Sequence, residues 1–391
     1  MQIRPDIAAD APLLTEWRQD IHRNPELGYQ ESRTSRLVAE RLTSFGLEVV
    51  TGLGGTGVVG TLHGEEGAGS IGLRADMDAL PMQEMGESDH KSEVDGVFHG
   101  CGHDGHTTML LGAATSMGAV RAGRRAGPTV HFIFQPAEEG LAGARAMMDD
   151  GLFERFPCDE VYGVHNWPDA PFGTACVGAG PMMAASDKIE IEITGKGAHA
   201  AMPHKGVDPV LVASHVVTAL QSLVSRGTDP VDAAVVSVTK IEAGSTFNVI
   251  PETATLGGTV RTFRPETRDR LEAEIERTAV GIARAMGCEA RVEYSRGYPP
   301  TVNHAGQSAR FAEAARRLLG DGKVSTDPEP CMGGEDFAFM LEEVPGSYLW
   351  LGQGGEYNVH HPRYDFDDRL LPVGANLWVE LVEGFAASRQ G

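Results

Sequence analysis

The hydrophobic period of this 391-residue chain changes near Asp187, and that change limits the folds open to it. Before Asp187, helical spacing alternates with short apolar runs. Leu13, Leu14, Trp17 and Ile21 recur at helical intervals until Asn24-Pro25, and a second helix spans 32–45, stopped by Gly46. Runs bounded by glycine-rich turns at 57–62, 71–74 and 129–134 read as strands, with a helix at 107–120. This order predicts an α/β domain built on a covered, largely parallel sheet. From 188 to 194 apolar and polar residues alternate strictly, the mark of a half-exposed strand. A helix at 209–224, strands at 233–241 and 253–261, a helix at 266–286 and a strand at 290–294 follow. That β-α-β-β-α-β order predicts a smaller α+β domain inserted at 185–295. The larger domain would consist of 1–184 and 296–391.

Acidic residues outnumber basic ones, 55 to 33, for a formal net charge of −22. Such a field argues against nucleic acid or an anionic membrane surface as partner, and leaves small anionic substrates open. The five cysteines, Cys101, Cys158, Cys176, Cys288 and Cys331, are scattered and odd in number, which points to a reducing compartment. Residues 1–10 carry acids where a signal peptide needs an apolar run, and no stretch reads as a membrane span. The expected location is cytoplasmic.

The string His99-Gly-Cys-Gly-His-Asp-Gly-His106 places three His, one Cys and one Asp in a glycine-rich turn ahead of an apolar helix. Glycine lets Cys101 and His103 bend toward one centre, and thiolate with imidazole is a donor set for zinc and its neighbours. The strand at 129–134 runs into Glu138 and Glu139, which can face different ways. One acid could bind a metal while the other holds a water; a solvated helix start is the plain alternative. His165 follows the apolar run Glu160-Val-Tyr-Gly-Val164, and the pair His360-His361 precedes Pro362. Asp76 and Asp78 stand where 71–74 ends, on one side if that strand continues. Such a carboxylate can hold the second nitrogen of a ligand His; a turn-forming role is the alternative.

Four strings carry a resemblance: Arg74-Ala-Asp-Met-Asp-Ala-Leu-Pro81, the 99–106 string, Gln135-Pro-Ala-Glu-Glu-Gly140 and Gly195-Lys-Gly-Ala-His-Ala-Ala-Met-Pro-His204. With Asp20-Ile-His-Arg-Asn-Pro-Glu-Leu27 and Gly333-Gly-Glu-Asp-Phe337, they resemble the aminoacylase and carboxypeptidase family of dinuclear metallohydrolases. Within it, the chain is similar to the hippurate hydrolase and indole-acetyl-amino-acid hydrolase branch. The resemblance implies two divalent ions per subunit (Zn, Mn, Ni or Co) bridged by Cys101, with His103 and His165 on one and Glu139 and His360 on the other. His360 is preferred to His361 by its spacing from Pro362. Glu138 would be the general base, His199 the oxyanion group, and Asn248 and Arg261 the carboxylate-holding groups. Asp78 would support a ligand, and Asp76 stands where the family usually has a ligand His. The inserted domain would serve as lid and dimer contact in a homodimer or higher homo-oligomer. The implied reaction is hydrolysis of N-acyl amino acids. Deacetylation of an N-acetyl-diaminopimelate type of substrate and dipeptide hydrolysis are its rivals, and a metal-dependent binding protein without turnover is the alternative of another class.

Overall fold

In the computed structural model, which describes residues 1–121 and 126–389, contacts divide the chain into two units. One comprises Met1–Met182, Thr301–Glu329 and Asp336–Gly391; the other comprises Met183–Pro300 and Pro330–Glu335.

The first unit is built on an eight-stranded sheet. Its order is β1 (Glu48–Leu53), β2 (Gly57–Leu62), β4 (Thr129–Gln135), β3 (Ser70–Asp76), β5 (Glu160–Trp167), β16 (Gly346–Gly352), β6 (Ala175–Cys176) and β15 (Val324–Ser325). The four central strands β4, β3, β5 and β16 are parallel, whereas β1 and β2 form an antiparallel edge. Every residue of β2 is buried, which explains why it reads as an apolar run; β16 is equally buried, and the sequence reading named no strand there. The short strands β7 (Gly180–Met183) and β14 (Thr301–Asn303) pair separately.

Helices α1 (Pro5–Arg23), α2 (Ser32–Ser44), α3 (His103–Arg121), α9 (Ala305–Leu319) and α11 (Leu370–Ser388) contribute to one core with this sheet. Leu110 and Ala114 of α3, Phe311 of α9 and Trp378 and Leu381 of α11 are all buried in it. Shorter pieces, α4 (Glu138–Leu141), α5 (Gly143–Asp149), α6 (Leu152–Arg155) and α10 (Ala338–Glu343), fill the connections.

Among the described residues one helix, α11, is long and apolar enough by composition to cross a membrane, but 72 % of its apolar window is buried inside the fold, which makes it a core helix and agrees with the sequence reading of no membrane span. Two other expectations need correction. The helix expected from residue 107 begins at His103, so the second half of the 99–106 string forms its first turn. The strand expected to stop at Val164 continues to Trp167, because His165 and Asn166 keep their register with Trp350 and Leu351 of β16.

In the second unit β8 (Ala185–Thr194), β10 (Ala234–Ala243), β12 (Thr253–Thr262) and β13 (Glu289–Tyr298) form an antiparallel sheet in the order β10-β12-β8-β13. With α7 (Pro209–Ser225) and α8 (Pro265–Ala285), they follow the β-α-β-β-α-β order read from the periodicity. Ile189, Ile191 and Ile193 are buried in its core while Lys188, Glu190 and Glu192 are exposed, as strict alternation requires. Asp208 starts α7 by accepting from Val210 N at 2.9 Å, with Pro209 in the first turn. A two-stranded ribbon, β9 (Ala198–His199) with β11 (Val249–Ile250), completes the unit.

Helices α3 and α11 of the first unit cross at Gly374, where a Cβ would fall 1.9 Å from Met109 Sδ. Gly374→Ala should therefore destabilise the protein by about 1–3 kcal/mol through overpacking. Urea unfolding followed by tryptophan fluorescence would measure this, and adding Met109→Ala should recover part of the loss.

Candidate metal centre

Strands β4, β3 and β5 are parallel neighbours, so the chain leaves their carboxyl ends at one edge of the sheet. At this edge β3 ends in Asp76, β4 leads into Glu138 and Glu139, and β5 carries His165. The first turn of α3 adds His103, two residues after Cys101.

Two sets of ligand-type atoms form here, each lying within 4.8 Å of one another: Cys101, His103 and His165, and Cys101, Glu139 and His360. Cys101 belongs to both. A third set joins His103 and Glu139 to Glu138, and a fourth joins His103 to Asp76 and His106.

His165 donates through Nδ1 to Asn166 O at 2.6 Å, leaving the Nε2 lone pair 3.3 Å from Cys101 Sγ. Burial, then the charge of His106, holds its pKa well below the ordinary value, so the ring is a neutral donor to a cation. His360 adopts a left-handed φ of 65° that brings Nε2 to 3.2 Å from Glu139 Oε1. The next ring, His361, instead stacks on Tyr357 with centroids 4.4 Å apart.

Asp76 and Asp78 diverge, because β3 stops at Asp76 rather than continuing the period of two. Asp78 accepts the backbone N–H of Glu138 and of Glu139, each at 3.0 Å, and lies 3.3 Å from His103 Nδ1. Asp76 takes Arg74 Nη1 at 2.8 Å and His106 Nδ1 at 2.6 Å. With Nε2 at 2.7 Å from Asn166 Oδ1, both nitrogens of His106 are engaged.

The donors present fit a cation. Both ring nitrogens of His103 and Oε1 of Glu139 are buried and make no well-aligned hydrogen bond among the described residues, although Asp78 and His360 lie close to them as ionisable neighbours. Burial opposes a charge on His103, yet Asp76, Asp78 and Glu139 push its pKa up to about 10. Burial and then Glu139 and Glu138 push the Cys101 thiol well above its usual range. A field that holds protons this firmly stabilises a positive ion in their place.

The other predicted groups lie in the second unit. His199, on β9, is opposite Val249, and Ala200 N donates to Asn248 O at 3.0 Å, so His199 and Asn248 are neighbours. Arg261 lies toward the far end of β12, where it donates to Thr259 Oγ1 and, at 3.1 Å, to Val260 O. The strand rise puts it about 25 Å from Thr253, where β12 starts just after β11.

The sequence pattern of peptidase family M20/M25/M40 matches residues 72–384. The chain belongs to this family. Among M20 relatives, it is 41 % identical over 382 residues to a hippurate hydrolase of Campylobacter jejuni, covering 97 % of this chain and 98 % of that one. It is 40 % identical over 370 residues to an N-acetylcysteine deacetylase of Bacillus subtilis, covering 94 % and 95 %. A solved dinuclear metal binding peptidase of the M20 family from Bacillus subtilis matches the fold with a TM-score of 0.85 at 35 % identity, over 98 % of this chain and 99 % of that one.

Asp336 and His22, both around this M20 centre, received no role from sequence, whereas Asp104 was read as a supporting residue of the 99–106 string. The Asp336 carboxylate takes Arg74 Nη2 at 3.1 Å, Gln135 Nε2 at 2.8 Å and Ala144 N at 2.9 Å, while its own N–H donates to Glu138 Oε1 at 3.4 Å. Its signal was the Gly333-Gly-Glu-Asp-Phe337 string, an acid pair between glycines and an apolar run. Asp104, next to His103, pairs with His22 at 2.7 Å and Arg18 at 3.4 Å.

Burial opposes charge on His22, but Asp104 outweighs it and raises the pKa to about 9 from 6.5. The folded value lies above the unfolded one, so this stabilisation is complete below about pH 6.5 and is lost as pH rises through 9. The loss should reach up to about 3 kcal/mol. His22→Asn should flatten the dependence of unfolding free energy on pH between 6.5 and 9.

Proposed function

We propose that this M20 chain hydrolyses the amide bond of N-acyl amino acids, hippurate-like or N-acetyl, releasing a carboxylic acid and a free amino acid. The observation that carries this reading is the sharing of Cys101 between two ligand sets, with Glu138 beside a member of each. Near full-length likeness to a hippurate hydrolase and an N-acetylcysteine deacetylase supports the substrate class.

Cys101, His103 and His165 would hold one divalent ion, and Cys101, Glu139 and His360 the other. The likeness to a dinuclear metal binding peptidase supports that number. Thiolate suits zinc, and the glutamate and imidazole donors suit manganese, nickel or cobalt as well. When bound, the ions would polarise the scissile carbonyl and acidify the attacking water. Glu138 accepts the proton of that water and delivers it to the leaving amine nitrogen. Asp78 steadies this turn through the Glu138 and Glu139 N–H groups and faces His103 Nδ1. His199 stabilises the developing oxyanion, and Asn248 and Arg261 take the free carboxylate of the substrate. The separation of Arg261 from the neighbouring pair His199 and Asn248 supports a homodimer, in which one copy supplies the pair and the other the guanidinium.

Glu138→Gln should retain its metal by elemental analysis and lose about 10³-fold in kcat on a panel of N-benzoyl, N-acetyl and longer N-acyl amino acids. Turnover near that of the unaltered protein would sink the base assignment. Adding Zn²⁺ or Mn²⁺ to metal-free protein at pH 7 should release about two protons per subunit, from Cys101 and His103. Calorimetry in two buffers of different ionisation enthalpy would count them, and Cys101→Ser should reduce the count.

A further inference from the structure

The turn that carries Glu138 has an unusual backbone. Ala137 and Ala142 both hold left-handed φ values, 54° and 59°, and Gly140 between them lies at 79°. A Cβ at Gly143 would fall 1.7 Å from Pro136 O, so the turn closes with no room for a side chain there. Left-handed alanines persist only where their surroundings fix them. Asp78 fixes the N–H groups of Glu138 and Glu139, and Asp336 that of Ala144.

The remaining support comes from segment 28–31, between α1 and α2. Glu31 is fully buried; one oxygen accepts Ala137 N at 2.8 Å and the other accepts Thr56 Oγ1 at 2.6 Å. Tyr29, itself at φ 63°, donates its hydroxyl to Leu141 O at 2.9 Å. Gly28 packs so closely that a Cβ would meet the Leu141 side chain at 2.7 Å and the Ala137 backbone at 3.1 Å.

We propose that segment 28–31 is a brace that sets the direction of the Glu138 carboxylate, with Glu31 as its principal positioning residue. The inference rests on the reading of Glu138 as the base. Glu31 belongs to none of the ligand sets, so its influence passes through the Ala137 N–H to the adjoining Glu138. Without that acceptor, a buried N–H loses its partner and the left-handed Ala137 loses its restraint. The turn then relaxes and the carboxylate leaves the path of the proton, which slows turnover while substrate and metal still bind.

The test compares Glu31→Ala, Glu31→Gln, Glu31→Ala with Ala137→Gly, and Tyr29→Phe, all loaded with Zn²⁺ and assayed on N-benzoylglycine. Glu31→Ala should lower kcat about 30-fold, with KM within about twofold and metal content unchanged. Glu31→Gln keeps an acceptor for Ala137 N and should restore most of the loss. Ala137→Gly adopts the left-handed conformation without cost and should recover about tenfold in the Glu31→Ala background. Tyr29→Phe should lower kcat about threefold with an unchanged melting temperature, and this arm decides the matter if Glu31→Ala does not fold. Full kcat in Glu31→Ala or in Tyr29→Phe, or a loss that falls on KM or metal content, overturns the brace. Glu138→Gln on the same substrate separates the two readings. If it is active, the base assignment fails; if it is inactive while Glu31→Ala is fully active, only the brace fails.

Discussion

At the carboxyl end of β3 the fully buried Arg74 guanidinium reaches Asp76 Oδ2 at 2.8 Å and Asp336 Oδ1 at 3.1 Å, and donates to Gln135 Oε1 at 2.7 Å. Three sections of chain far apart in sequence meet on this one cation. Removing one partner from such a group leaves uncompensated buried charge, at a cost of about 3–5 kcal/mol. The arrangement of the centre follows from it. Asp76 continues to His106, which engages Asn166 on β5, while Asp336 continues to the turn that bears Glu138. Strand ends and turn are thereby held in fixed relation before any ion or substrate arrives.

The same burial sets the electrostatics of the site. Glu138, Asp76, Asp78 and the Cys101 thiol share a region where solvent cannot screen them. His103 answers part of that charge by holding a proton, and His165 cannot, since burial and His106 keep it neutral. A thiol that resists ionisation beside carboxylates is a poor nucleophile. Its place is intelligible as a ligand that ionises only when a cation displaces its proton. The acidic balance of the whole chain has no part in this; the local donors decide it.

Much of the architecture was legible in the sequence because each unit declares a different period. Lys188 to Thr194 shows a strict period of two, since one face of β8 meets helices and the other is exposed. Strands β2, β3 and β4 show largely apolar runs, since nearly every residue in them is buried. Edges were less legible, and so was the returning segment, where α9, β16 and α11 were not read from the sequence. Strand β1 is half exposed and irregular, and the sequence suggested no strand there. The reach of β5 to Trp167 depends on its partner β16, nearly two hundred residues away. For the site, Cys101, His103, Glu138, Glu139, His165 and His360 were read as candidates from residue type and resemblance, and the fold gathers them at one sheet edge.

What sequence alone determined, then, is the chemistry of the donors and the order of the elements. A thiol, imidazoles and an acid pair are properties of side chains, and hydrophobic period is a property of local chain. Tertiary structure decided which of those groups face one another. It turned His360 toward Glu139 through a left-handed backbone while His361 stacks on Tyr357. It separated Asp76 from Asp78 by ending β3 between them, and it recruited Glu31, His22 and Asp336 from distant segments. These outcomes depend on register, burial and the satisfaction of buried polar groups. Those are relations between segments, and a single stretch of sequence contains only one side of each.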